Sequence, residues 1–169
     1  MKLIFKYPIS KLIGLLLCVP LLGFGQHVHE ATRPVRTTAL SVQPFDETTW
    51  SRIVKQGARP AAYLFTTSYC STCPEAFAVL HSAVVNQSEK IELVAIMMDV
   101  GGTQALRHAA HFHGITALYA FDGFEPAIRQ AVDPQWPNVT PYIVLVDRRG
   151  EIQKTIGPPT EGMLKRWLS

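Results

Sequence analysis

An apolar run, Ala61-Ala62-Tyr63-Leu64-Phe65, leads through a short polar turn into Cys70-Ser71-Thr72-Cys73, and a segment with helical periodicity, Pro74 to Val85, follows at once. This order puts two cysteines, three positions apart, at a strand-to-helix junction, where the turn of the chain lets them close a small disulfide. The first helical turn also offers unpaired N–H groups and the positive end of the helix dipole to a thiolate. These features imply a thiol–disulfide redox centre. The competing reading is a purely structural disulfide, but so short a loop constrains the unfolded chain little, which makes stability a poor reason for it.

At 169 residues the chain suits one domain with a real core. Its formal charge of +3 is carried by the N-terminus, where Lys2, Lys6 and Lys11 precede the apolar stretch 12–24. A basic stretch, an apolar stretch and the small residues Gly23 and Gly25 describe a secretory signal peptide, residues 1–25. The alternative is an uncleaved membrane anchor, for which the apolar run is shorter than the ~20 residues a spanning helix needs. Cys18 follows Leu17, whereas lipoprotein sites carry a small residue there. Cleavage after Gly25 would remove three of 16 basic residues and leave 13 against 13 acidic ones. No basic field then argues for nucleic acid. Cys70 and Cys73 would be the only cysteines left, in a periplasmic or otherwise extracytoplasmic setting where disulfides persist.

Residues 26–44 show no clear period and read as a linker or an edge extension before a domain over 45–169. Within that domain the pattern predicts a short helix at 47–56, a strand at 61–66 and the helix after Cys73. A buried strand at 91–98 follows, then a helix at 103–112 ended by Gly114, a weaker strand at 115–121 and a helix at 125–132. Tyr142-Ile143-Val144-Leu145-Val146 is a strong strand, Asp147-Arg148-Arg149-Gly150 a tight turn, and Glu151 to Ile156 the returning strand. A last amphipathic helix starts at Thr160. Strands alternating with helices and closing in a hairpin imply an α/β sandwich with a mixed central sheet flanked by helices.

With these residues in place, the chain resembles the thioredoxin superfamily, particularly its exported bacterial members. The matching residues are the strand Tyr63-Leu64-Phe65, the loop Thr67-Ser68-Tyr69-Cys70-Ser71-Thr72-Cys73, and the later Val139-Thr140-Pro141 with its strand and hairpin. The resemblance implies a thioredoxin-like three-layer sandwich and a thiol–disulfide oxidoreductase. It makes Cys70 and Cys73 the catalytic pair, Pro141 a cis-proline facing them, and Thr140 a substrate contact. It implies no cofactor beyond the redox-active Cys70–Cys73 disulfide and no metal. The implied partners are exported protein thiols or disulfides, plus a membrane electron donor if the protein reduces them, and the chain is expected to be a monomer.

This sequence also departs from that family. The buried acid that cytosolic thioredoxin carries six positions before the first cysteine is here Leu64. Ser71-Thr72 puts no cation between the cysteines, which points to a reductant or isomerase rather than a strong oxidant. Cys73-Pro74-Glu75 echoes the copper-delivery branch of the superfamily, so a copper-binding chaperone that uses both thiolates as Cu(I) ligands is the alternative function. His108, His111 and His113 cluster near the end of one helix, a spacing that suits either a metal or a solvated helix end. His81 reads as a helix-surface or groove residue. Trp136 reads as either a groove aromatic or a core one.

Overall fold

The computed structural model describes residues 39–169. The segment read as a signal peptide and most of the expected linker lie outside the described residues. Eleven elements follow in chain order: β1 (Val42–Phe45), α1 (Thr49–Gln56), β2 (Ala61–Thr66), α2 (Cys73–Val84), β3 (Glu92–Met97), α3 (Gly102–Ala109), β4 (Ala117–Phe121), α4 (Glu125–Val132), β5 (Tyr142–Val146), β6 (Ile152–Ile156) and α5 (Glu161–Leu168). The six strands form one sheet in the order β1-β4-β3-β2-β5-β6. Four run parallel, while β5 is antiparallel to β2 and to β6, so the sheet is mixed, as expected.

The sheet divides the core in two. Residues of β2 alternate, so Ala62 and Leu64 enter one layer and Ala61, Tyr63 and Phe65 the other. The first layer is largely aliphatic and packs α2, α3 and α5 through Phe77, Leu80, Ala105, Ala109 and Trp167. The second is rich in aromatic rings and packs α1 and α4 through Trp50, Ile128 and Val132. All six residues of β2 are buried, which accounts for its unbroken apolar run. Trp167 ties the last helix to the sheet, its indole N–H lying 3.1 Å from both the Ala61 and the Val146 carbonyl oxygens.

Among the boundaries that differ from the sequence expectation, three have a clear local reason. β1 falls across the end of the segment read as a linker. It is short, contains Pro44 and pairs only with β4 at the sheet edge, where proline is tolerated. α1 begins at Thr49 rather than Glu47 because the Asp46 carboxylate accepts from the backbone N–H groups of Thr48 and Thr49, both at 2.9 Å. The hydroxyls of both threonines donate to it as well, and these bonds, led by that of Thr49, pull the Asp46 pKa down to about 2. α3 stops at Ala109 rather than Phe112. The chain there tightens into three-residue turns, with His111 N–H donating to the His108 carbonyl and Phe112 N–H to the Ala109 carbonyl.

Candidate active site

β2 delivers the chain to the end of the sheet at Thr66 and Thr67, and the next residues are held from beyond the neighbouring strand. Ser68 N–H donates to both Asp99 carboxylate oxygens, at 2.9 and 3.1 Å, and the Ser68 hydroxyl donates to the same group at 2.5 Å. Asp99 lies just beyond β3, so the clamp joins the ends of two adjacent parallel strands. From there Cys70 N–H donates to the Thr67 carbonyl at 3.2 Å and Cys73 N–H to the Cys70 carbonyl at 3.3 Å. These successive turns wind the chain into α2, whose first turn holds Pro74, a position where proline costs no helical hydrogen bond.

Cys70 and Cys73 are joined by a disulfide. Cys73 is fully buried against the aliphatic layer, whereas Cys70 is 9 % exposed, so only Cys70 reaches the surface. The Thr72 hydroxyl lies 3.9 Å from Cys70 Sγ. Leu64 is fully buried, and no Asp or Glu is buried among the described residues, so no carboxyl sits beneath the cysteines. Glu75 is exposed.

β5 is antiparallel to β2 and pairs Tyr142 with Phe65. Pro141, the residue before β5, therefore stands at the same end of the sheet as the cysteine loop. The Thr140–Pro141 bond is cis, as the resemblance implied, and a second cis bond, Arg59–Pro60, had no sequence signal. Thr140 shares a hollow of about 280 Å³ with Thr67, Tyr69, Met98, Asp99, Glu125 and Asn138. Tyr69 is 79 % exposed at its rim, and the Thr67 hydroxyl is buried without a hydrogen-bond partner. Sequence reasoning quoted Thr67 and Ser68 only as part of the matching loop, gave them no role, and did not single out Asp99. They are ordinary polar residues there, and only the adjacency of the strand ends brings them together.

The aromatic layer braces the segment before Pro141. The Trp136 ring stacks on Tyr142, with centroids 4.3 Å apart, and meets Phe65 edge-on at 4.9 Å. Its indole N–H donates to the Val139 carbonyl at 3.1 Å. Of the two readings of Trp136, the structure bears out the core aromatic. The Tyr142 hydroxyl donates to Asp133, and Lys154 Nζ lies 3.1 Å from the same carboxylate. Burial pushes the Asp133 carboxyl up, but the hydrogen bonds from Tyr142, Gln135 and Lys154 together outweigh it and hold its pKa below the ordinary value. The Tyr142 phenol is pushed up, by burial first and then by its bond to Asp133.

The histidines lie together beside α2. His81, His111 and His113 line one hollow with Pro74 and Phe77, so His81 is a groove residue. His108 and His111 line a second with Ser68 and Arg107. No group of three or more His, Cys, Asp or Glu is arranged to hold a metal ion among the described residues. No described helix is long and apolar enough to cross a membrane.

No family model and no curated protein matches the sequence. Solved structures do match the fold. A thioredoxin-related protein from Neisseria meningitidis serogroup B aligns with a TM-score of 0.51 at 14% identity, over 66% of this chain and 84% of that one. A secreted Mycobacterium tuberculosis disulfide oxidoreductase, homologous to Escherichia coli DsbE, aligns at 0.46 and 17% identity, over 64% and 79%. StoA from Bacillus subtilis aligns at 0.44 and 20%, over 64% and 81%. The chain has the thioredoxin-like fold, with a Cys-x-x-Cys disulfide at the start of α2.

Proposed function

We propose that this protein is an extracytoplasmic thiol–disulfide oxidoreductase acting on other exported proteins, with Cys70 the attacking thiol and Cys73 the resolving one. The observation that carries the reading is the disulfide at the N-terminus of α2, with Cys70 the more accessible of the pair, 9 % exposed, and Cys73 fully buried. In the reducing direction the Cys70 thiolate attacks one sulfur of a partner disulfide. A mixed disulfide forms and the partner's other sulfur leaves as a thiolate. Cys73 then attacks Cys70 Sγ, the Cys70–Cys73 bond forms, and the second partner thiol is released. Two electrons pass to the partner, and a membrane electron donor would restore the dithiol.

The dipole end and free N–H groups of the first helical turn favour the Cys70 thiolate. The hollow lined by Tyr69, the residue before Cys70, and by Thr140 supports a resting place for the partner chain there. Within the loop Ser71 and Thr72 add hydroxyls but no cation, which supports a reductant or isomerase over a strong oxidant. The N-terminal basic and apolar stretch supports export, and the single cysteine pair of the domain suits a compartment where disulfides persist.

Insulin reduction tests the chemistry. Wild type is expected to reduce insulin, and Cys70→Ser to lose that activity; equal rates would end the catalytic reading. Cys73→Ser is expected to accumulate the mixed disulfide. A measured reduction potential as high as that of the periplasmic oxidase, ≈ −120 mV, would overturn the reductant assignment.

A further inference from the structure

Two hollows open beside the cysteine loop, apart from the groove of Thr67, Tyr69 and Thr140. One, of about 310 Å³, is lined by Ser68, Val100, Gln104, Arg107, His108 and His111. The other, of about 280 Å³, holds His81, His111 and His113 with Pro74 and Phe77. His111 belongs to both, and Ser68 and Pro74 bring the hollows to either end of Cys70–Cys73. The ion pairs among the described residues use Arg129, Arg148 and Lys154, so Arg107 has none there. His108 Nε2 is buried without a hydrogen-bond partner, and its ring lies 5.4 Å from that of His111. The His81 ring is seated on Gly114, whose φ is +80° and where a Cβ would come within 2.3 Å of it.

Carboxylates are few on this face. Residues 100–116 contain none, α2 contributes only the exposed Glu75, and Asp99 is engaged by Ser68. We propose that this face docks an acidic segment of the protein whose disulfide Cys70 attacks, with Arg107 as the fixed cation and the histidine side chains beside it. The proposal rests on the oxidoreductase reading above. Arg107 and the histidines are divided between two adjoining hollows, so a chain bearing several carboxylates can reach both, whereas a single small anion engages one.

His108 is held below the ordinary histidine pKa by burial first and by His111 second, while Asp99 pulls the other way. It is therefore largely neutral at neutral pH. A bound carboxylate favours its protonated form, so docking takes up protons and strengthens as pH falls.

Two peptides with the same internal disulfide test this, one flanked by glutamates and the other by glutamines. At pH 5.5 and low salt the glutamate peptide is expected to be reduced about tenfold faster, through charge steering. Raising the salt to about 0.5 M should shrink the ratio. Arg107→Gln combined with His111→Gln, both exposed side chains, should bring it to one. A ratio of one in wild type, or a ratio unmoved by the double variant, would overturn the proposal. Failure to reduce either peptide would remove the oxidoreductase reading instead. Fluorescence anisotropy with cysteine-free versions then judges the surface alone: it stands if the glutamate peptide binds more tightly at pH 5.5 than at 7.5, and falls if both bind equally.

Discussion

The two faces of the sheet are built from different materials and do different work. On one, small and aliphatic side chains such as Ala62, Leu64 and Ala95 let α2 approach closely and bury Cys73. On the other, Phe45, Trp50, Tyr63, Phe65, Trp136 and Tyr142 form a run of ring contacts that reaches the segment before Pro141. One layer seats the disulfide and the other shapes the loop opposite it. Adjacent residues of β2 feed the two, since Leu64 points to the first and Phe65 to the second.

That division can be broken at a single step along β2. Phe65→Ala should cost about 4 kcal/mol, and Leu64→Ala about 3 kcal/mol, in chemical denaturation. Their local effects should part more clearly than their energies. Phe65→Ala removes the ring that Trp136 and Tyr142 rest on, so the NMR shifts of Val139 and Thr140 should move. Leu64→Ala should leave those shifts near their wild-type positions, and equal movement in both variants would refute the division.

Gly114→Ala probes the aliphatic side, where a side chain at positive φ would strike His81. A loss of about 2 kcal/mol is expected, with the melting temperature as the readout. Tyr142→Phe probes the aromatic side more gently. It keeps the stacking on Trp136 and deletes the hydroxyl that donates to Asp133, so the loss should be about 1 kcal/mol. With that donor gone, the Asp133 pKa should rise toward its ordinary value, which carboxyl NMR titration would show.

The smallest effect is at Asp46, at the start of α1. Its folded pKa of about 2 lies below the ordinary 3.8, so its stabilising contribution is complete above about pH 4 and disappears as pH falls through 2. The stability gap between wild type and Asp46→Ala should be full at pH 5 and close between about pH 4 and 2. A gap that persists at pH 2 would contradict the capping role.

Most of the element order was readable because burial imposes periodicity. β2 and β5, buried along their length, read as apolar runs, and α4 matched its expected bounds because its apolar spacing and its Pro126 start are local signals. β1 was not readable as a strand, since four residues with a central proline carry no usable period. The early end of α3 was also hidden, because Phe112 keeps the apolar spacing while the backbone has already tightened.

The sequence by itself determined the chemistry at hand: two cysteines at a strand-to-helix junction, a Thr-Pro pair at the start of a later strand, and Leu64 where the resembled family has an acid. Those are properties of residue type and spacing. Only the tertiary structure decided that Thr67 and Thr140 border one hollow and that Ser68 is held by Asp99. It also decided that His81 and His111, thirty positions apart, line the same groove. Such pairings depend on strand order and on which face each helix covers, and contacts over that range leave no periodic trace along the chain.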